Sequence, residues 1–304
     1  MKQFLSLLVL ALVAIVMIAL FRPTPNSVTT NAAIVIASKD FTEQDILGEL
    51  LAQQIENTTD LTVDRQPRLG GSFVCHQAIK EGKIDAYIEY TGTAYTGILQ
   101  QKPIPDPQAV FQRLNREYAG QFNLEVLPSL GFENTFAMIV RGEDAQRYNL
   151  KTLSEASAYT PQWRGGFSYE FSERKDGLPG LAQTYNLQFA KPPQVMDLGL
   201  IYRALLQKQV DLIAGNSTDG QITRLNLVIL QDDKRFFPPY EAVPIVRAAT
   251  LKKYPQLRQA IAPLAGLITA DEMQRLNYLV EGELRDVKQV VQEFLQSKGL
   301  APAS

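Results

Sequence analysis

The sequence predicts an α/β protein built from two related lobes that face each other across a ligand cleft. Three observations carry that expectation. Apolar strand-like runs alternate with amphipathic helical stretches over residues 33–93. The same pattern returns 126 positions later (204 minus 78). Two long β-prone runs, near residues 134–140 and 236–246, read as crossings between the lobes.

The elements follow in order. Residues 33–38 form a continuous apolar run, the mark of a buried first strand. Phe41-Thr42-Glu43-Gln44 then opens a helix with Ile46, Leu47, Leu50, Leu51 and Ile55 on one face. Residues 61–65 make a second strand, Gly70-Gly71-Ser72 begins a second helix, and residues 84–88 make a third strand. That strand runs into Glu89, an exposed-looking aromatic at Tyr90, and then Thr91-Gly92-Thr93. A strand–helix–strand–helix–strand order implies parallel pairing. A loop marked by Pro103, Pro105 and Pro107 leads to a helix at 108–122 and a short strand at 124–127.

The second half repeats this logic. Strands are expected at 163–167, 194–196 and 210–215, and helices at 180–185 and 199–206. The stretch from Ala78 to Asp85 matches that from Ala204 to Asp211, and the same offset places Tyr90-Thr91 on Asn216-Ser217. The tail, 257–300, is helical, with Leu264, Ile268, Met273, Leu276, Val290, Val291 and Phe294 on an apolar face. It closes the first lobe, which is therefore discontinuous: 33–134 with 238–304, against 135–237 for the second. In open α/β sheets ligands bind outside the carboxyl ends of strands, so Tyr90 and Asn216 are expected at opposite edges of the cleft.

Composition narrows the function. With 45% hydrophobic and 20% charged residues the chain is globular, and a net charge of −2 without a basic run gives no reason to expect nucleic acid. Residues 4–21 carry no charge and lie between Lys2 and Arg22. That is the pattern of an export signal, and it is also just long enough to span a bilayer. Residues 1–32 thus read as a signal peptide or a membrane anchor plus tether. The expected location is periplasmic or extracytoplasmic, anchored to the inner membrane if the segment is retained. With no cysteine in that segment, a lipid anchor is excluded, and Cys75 as the single cysteine excludes an intramolecular disulfide.

The catalytic inventory is thin. His76, the single histidine, neighbours Cys75 on a helix, where adjacent side chains point about 100° apart and cannot form a nucleophile–base pair. No set of His and Cys ligands has metal-site spacing, and no strand–GxxxxGK phosphate loop occurs. The sequence therefore argues against an enzyme, and neither cofactor nor metal is expected. What it offers instead is Tyr90, Phe136 and Tyr240 with Lys39, Thr93, Arg174 and Asn216 at strand ends and crossings. Aromatic faces hold a quaternary ammonium by cation–π attraction. A guanidinium or ammonium beside a hydroxyl holds a carboxylate. Together they describe a site for a small zwitterion.

Several motifs also carry a family resemblance. Ser38-Lys39-Asp40-Phe41-Thr42-Glu43-Gln44, Gly70-Gly71-Ser72-Phe73-Val74, Glu89-Tyr90-Thr91-Gly92-Thr93, Ser217-Thr218-Asp219-Gly220, and Asp232-Asp233-Lys234 through Phe237-Pro238-Pro239-Tyr240 are similar to stretches of one family. The chain resembles the substrate-binding proteins of osmoprotectant ABC importers, which take up glycine betaine, choline, carnitine and related compounds. The resemblance runs from about Ile34 to the C-terminus. It implies a two-lobed type II periplasmic binding protein fold, a monomer, and an ABC permease partner with a separate ATPase subunit. In relatives a box of four tyrosines holds the trimethylammonium group, and the matching positions here are Tyr90, Phe136, Asn216 and Tyr240. A lysine, an arginine and a threonine meet the carboxylate, and Lys39, Arg174 and Thr93 match them. Phe136 keeps the π face without the hydroxyl, whereas Asn216 removes a wall of the box. The resemblance thus implies glycine betaine or a bulkier, ergothioneine-like betaine as ligand. A membrane-anchored sensory or accessory binding domain of the same fold is the alternative role.

Overall fold

Apolar strands buried on both faces are the frame of the molecule. The computed structural model describes residues 34–301, so the expected signal or anchor at 1–32 lies outside the described residues. The strands are β1 (Ile34–Ala37), β2 (Val63–Gln66), β3 (Ala86–Tyr90) and β4 (Leu124–Val126). Next come β5 (Phe136–Arg141), β6 (Gly165–Phe167), β7 (Gln194–Val195), β8 (Leu212–Asn216), β9 (Leu227–Leu230) and β10 (Ala242–Arg247). They form two five-stranded sheets, in the orders β2-β1-β3-β10-β4 and β7-β6-β8-β5-β9.

Parallel pairing holds for part of each sheet. β1 runs parallel to β2 and β3, and β6 runs parallel to β7 and β8. The crossing strands, whose direction the sequence left open, run the other way. β10 is antiparallel to β3 and β4, and β5 is antiparallel to β8 and β9. Each crossing strand begins at the carboxyl end of its neighbour, with Ala242 opposite Tyr90 and Phe136 opposite Asn216. A chain arriving from the other sheet at that end has to run back down.

The internal repeat is a repeat of structure. The helix Ser72–Lys80 and β3 recur as the helix Leu198–Leu206 and β8, every boundary shifted by 126 (198 minus 72, 206 minus 80, 212 minus 86, 216 minus 90). β3 and β8 also hold the same place, each between a parallel and an antiparallel neighbour.

The first sheet buries its face under the helix Thr42–Thr58, through Ile46, Leu47, Leu50, Leu51 and Ile55. The helices Ala270–Glu281 and Val287–Ser297 join the same core through Met273, Leu276, Val290, Val291 and Phe294. The tail therefore packs on the first sheet, although its helical stretch is broken into several pieces. Tyr90 corrects an expectation. It is the last residue of its strand and is 4% exposed, with Lys39 over its ring and Glu43, Gln44 and Asn134 around its hydroxyl.

Cys75 and His76 belong to this packing. His76 meets Phe122 and Tyr118 edge-on, with ring centroids 4.7 and 5.6 Å away. Burial pushes its pKa down to about 4 and that of the Cys75 thiol up to about 12. A neutral imidazole and a protonated thiol facing different neighbours are core groups.

Candidate functional site

All seven residues singled out in the sequence line one cavity of about 550 Å³, a size common for small-molecule sites. Strand ends supply most of them. Lys39 lies two residues beyond β1, Tyr90 ends β3, Phe136 opens β5 and Asn216 ends β8. Thr93 starts a single π-helical turn, Thr93–Ile98, and Arg174 follows the short helix Tyr169–Glu173. Tyr240 comes from the segment returning to the first sheet. A glycine admits it: a Cβ on Gly92 would lie 2.7 Å from the Tyr240 ring and 2.8 Å from the Pro239 carbonyl oxygen.

Phe136 and Tyr240 form an aromatic corner, their centroids 5.8 Å apart and their planes at 71°. Phe171 and Phe237 support Phe136 at 4.8 and 5.9 Å. Tyr240 donates its hydroxyl to Asp176 Oδ2 at 3.1 Å. Burial first, and the Asp176 charge second, hold its phenol protonated. Asn216 lines the same cavity, and its buried Nδ2 has no hydrogen-bond partner among the described residues.

The cations are already engaged. Lys39 Nζ donates to Glu89 Oε1 at 2.6 Å and Ser72 Oγ at 3.3 Å, and lies 4.2 Å from the centre of the Tyr90 ring. An ammonium has three N–H donors, so one is left for a ligand. Arg174 Nε donates to Asp176 Oδ1 at 2.8 Å, and Nη2 to Asp176 Oδ2. Its Nη1 donates to Glu170 Oε1 at 2.8 Å and Thr93 Oγ1 at 3.2 Å. Burial works against the guanidinium charge, but Asp176 outweighs it and holds the pKa above its usual value. The Asp176 carboxyl is held below its usual range in turn: burial opposes its charge and Arg174 overcomes that. Thr96 also donates to Asp176.

A fourth acid ties the structure together behind the cavity. Glu43, 2% exposed, accepts four hydrogen bonds. Tyr90 Oη at 2.5 Å and Asn134 Nδ2 at 2.9 Å reach Oε1, while Thr218 Oγ1 at 2.5 Å and Asn277 Nδ2 at 2.8 Å reach Oε2. One carboxylate thus joins the first helix, the end of β3, the segments just before β5 and just after β8, and the helix Ala270–Glu281.

Sequence reasoning singled out seven of the residues that line the cavity and missed the acids, Glu170 in the lining and Glu89, Asp176 and Glu43 outside it. Glu89 left a signal, as the one charge in the buried strand Ala86–Tyr90. Asp176, two residues after Arg174, left a weaker one.

With this geometry in view, comparison with known proteins decides the family. Residues 32–297 match the family described as the substrate binding domain of ABC-type glycine betaine transport system. The chain belongs to that family. Among relatives of this substrate-binding domain is the carnitine transport binding protein OpuCC of Listeria monocytogenes. It is 38% identical over 257 residues, covering 84% of this chain and 83% of the relative. The ergothioneine transport permease/ergothioneine binding protein EgtU of Helicobacter pylori is 34% identical over 278 residues. That match covers 91% of this chain and 49% of the relative, so the substrate-binding domain spans about half of that longer protein. A crystal structure of a glycine betaine/carnitine/choline ABC transporter superposes with a TM-score of 0.73 at 32% identity, covering 88% of this chain and 99% of that one. The fold is that of the two-lobed periplasmic binding proteins. Substrate-binding domains of ABC importers work outside the cytoplasm, as binding components in transport. Among the described residues no helix is long and apolar enough to cross a membrane.

Proposed function

We propose that the protein captures a quaternary-ammonium compound, glycine betaine or a related betaine, and hands it to an ABC permease driven by a separate ATPase subunit. It acts as a monomer and performs no catalysis. One observation carries the reading: Arg174 and Thr93 stand 3.2 Å apart at one end of the cavity, with the Phe136–Tyr240 corner beside them. A carboxylate suits the first group. A trimethylammonium suits the second, at roughly 0.5–2 kcal/mol per ring depending on desolvation.

Residues 33–134 with 238–304 and residues 135–237 are the two lobes in this proposal. Ligand shifts the population toward the closed form that the permease reads, and closure dries the cleft and strengthens each charge contact. The unpartnered Asn216 amide supports a ligand with a further hydrogen-bond acceptor. That widens the range from glycine betaine toward carnitine- and ergothioneine-like betaines, compounds for which two of the relatives are named. Calorimetry with glycine betaine, carnitine, ergothioneine and choline tests the reading. Saturable heat with at least one of them is expected, and no heat from any, with unchanged melting temperature, would refute it.

A further inference from the structure

The end of the cleft that faces a ligand carboxylate already holds a carboxylate of the protein. Glu170, in the helix Tyr169–Glu173, sets Oε1 2.8 Å from Arg174 Nη1, the nitrogen that also donates to Thr93. Its other oxygen reaches across the cleft, since a Cβ on Gly71 would lie 3.2 Å from Glu170 Oε2. A guanidinium has five N–H donors. Two of those of Arg174 go to Asp176, one to Thr93 and one to Glu170, which leaves one.

The two acids differ in freedom. The Asp176 side chain is 4% exposed and takes donors from Arg174, Thr96 and Tyr240. The Glu170 side chain is 31% exposed and held by Arg174. Asp176 already balances the guanidinium charge. A ligand carboxylate therefore meets an excess negative charge in the seat it needs, and like charges at one seat oppose each other.

We infer that Glu170 is a specificity-determining residue: its carboxylate competes with a ligand carboxylate for Arg174 and Thr93. This rests on reading the cleft as a quaternary-ammonium site. Glycine betaine enters by displacing Glu170 from Arg174, and the same carboxylate leaves a ligand with a neutral hydroxyl at that end unopposed. Discrimination here comes from a repulsive element, not only from attractive contacts.

The test compares glycine betaine with choline, which share a trimethylammonium head and end in a carboxylate or a hydroxyl. Calorimetry on the full chain and on Glu170→Gln is expected to show glycine betaine binding about tenfold tighter in the variant, with choline affinity unchanged. Glu170→Ala is expected to move the same way, and melting without ligand checks that both variants are folded. Unchanged or weaker glycine betaine binding in the variants overturns the inference, since Glu170 then merely supports Arg174. An equal gain for both ligands overturns it too, because the effect is then not on charge. No heat from glycine betaine or choline with any of the proteins, the parent included, overturns this inference, whereas the quaternary-ammonium reading falls only if carnitine and ergothioneine give no heat either.

Discussion

Replacing Glu43 by alanine is expected to be among the most damaging single changes at a residue that does not itself line the cavity. The carboxylate is buried and takes four donors between 2.5 and 2.9 Å, from Tyr90, Asn134, Thr218 and Asn277. A hydrogen bond to a charged group contributes about 1.5–3 kcal/mol net, so four would sum naively to about 6–12 kcal/mol, well above the roughly 0.5–3 kcal/mol that a single substitution usually costs. Two effects reduce the sum. The variant no longer has to desolvate a carboxylate, and Tyr90 Oη retains the bond it accepts from Gln44 at 2.9 Å. Breaking a buried charged arrangement by removing one member costs about 3–5 kcal/mol, and that range is the expectation here. At about 2–4 °C per kcal/mol the melting temperature should fall by roughly 10 °C. Urea unfolding monitored by circular dichroism gives the midpoint shift, and Glu43→Gln, which still accepts on one oxygen, should fall between the two. A loss below about 1 kcal/mol for Glu43→Ala would show that the four donors find other partners, and would refute the reasoning.

The remaining predictions concern the cleft and pH. Tyr240→Ala and Arg174→Ala are each expected to weaken betaine binding about tenfold or more, which is about 1.4 kcal/mol; calorimetry indistinguishable from the parent would remove that residue from the site. Asn216→Tyr should raise affinity for glycine betaine by restoring an aromatic wall, and a loss would mean that the amide itself meets the ligand. Burial pushes Asp219 up to about 7 against a usual 3.8, despite its bonds from Tyr202 and Asn216, with Glu281 and Glu43 adding to the rise. The folded state thus holds a proton the unfolded state has lost, so this contribution is full below pH 3.8 and declines as pH rises to 7, by about 4 kcal/mol. His76 has the opposite sign: with a pKa near 4 folded and 6.5 unfolded, its contribution is full above pH 6.5 and falls by about 3 kcal/mol as pH drops to 4. The two offset each other between pH 4 and 6.5. Asp219→Asn should uncover the acid-side loss, and melting profiles across pH 4–8 that match the parent would mean that Asp219 does not titrate there.

The legible and illegible parts of this site divide along a physical line. Tyr90 and Asn216 were readable because a strand end after an apolar run is a local pattern, repeated at a constant offset in two places. The direction of β5 and β10 was not local. It depends on the end of the sheet at which the chain arrives, and no window of residues records that. The buried acids fall outside the same horizon: Lys39 and Glu89 are 50 residues apart, and Glu43 gathers donors from as far as Asn277. Hydrophobic periodicity shows where a charge is absent, but not where two distant charges cancel. Tyr90 looked exposed for that reason too, since groups that cover it, Lys39, Glu43 and Asn134, lie 44 to 51 residues away in the chain (134 minus 90, 90 minus 39).

The place of β10 between β3 and β4 has a consequence for how the protein is made. Every strand of the second sheet lies within 136–230, so that sheet has all its material once residue 230 has been synthesised. The first sheet waits longer. β4, although made early, gains its hydrogen-bonded neighbour only when residues 242–247 emerge. Ribosomal order and order of completion are therefore reversed, and until β10 arrives the facing edges of β3 and β4 are open for pairing with another chain. A nascent chain stalled before residue 242 would expose those edges, so chaperone engagement should be sought at that length.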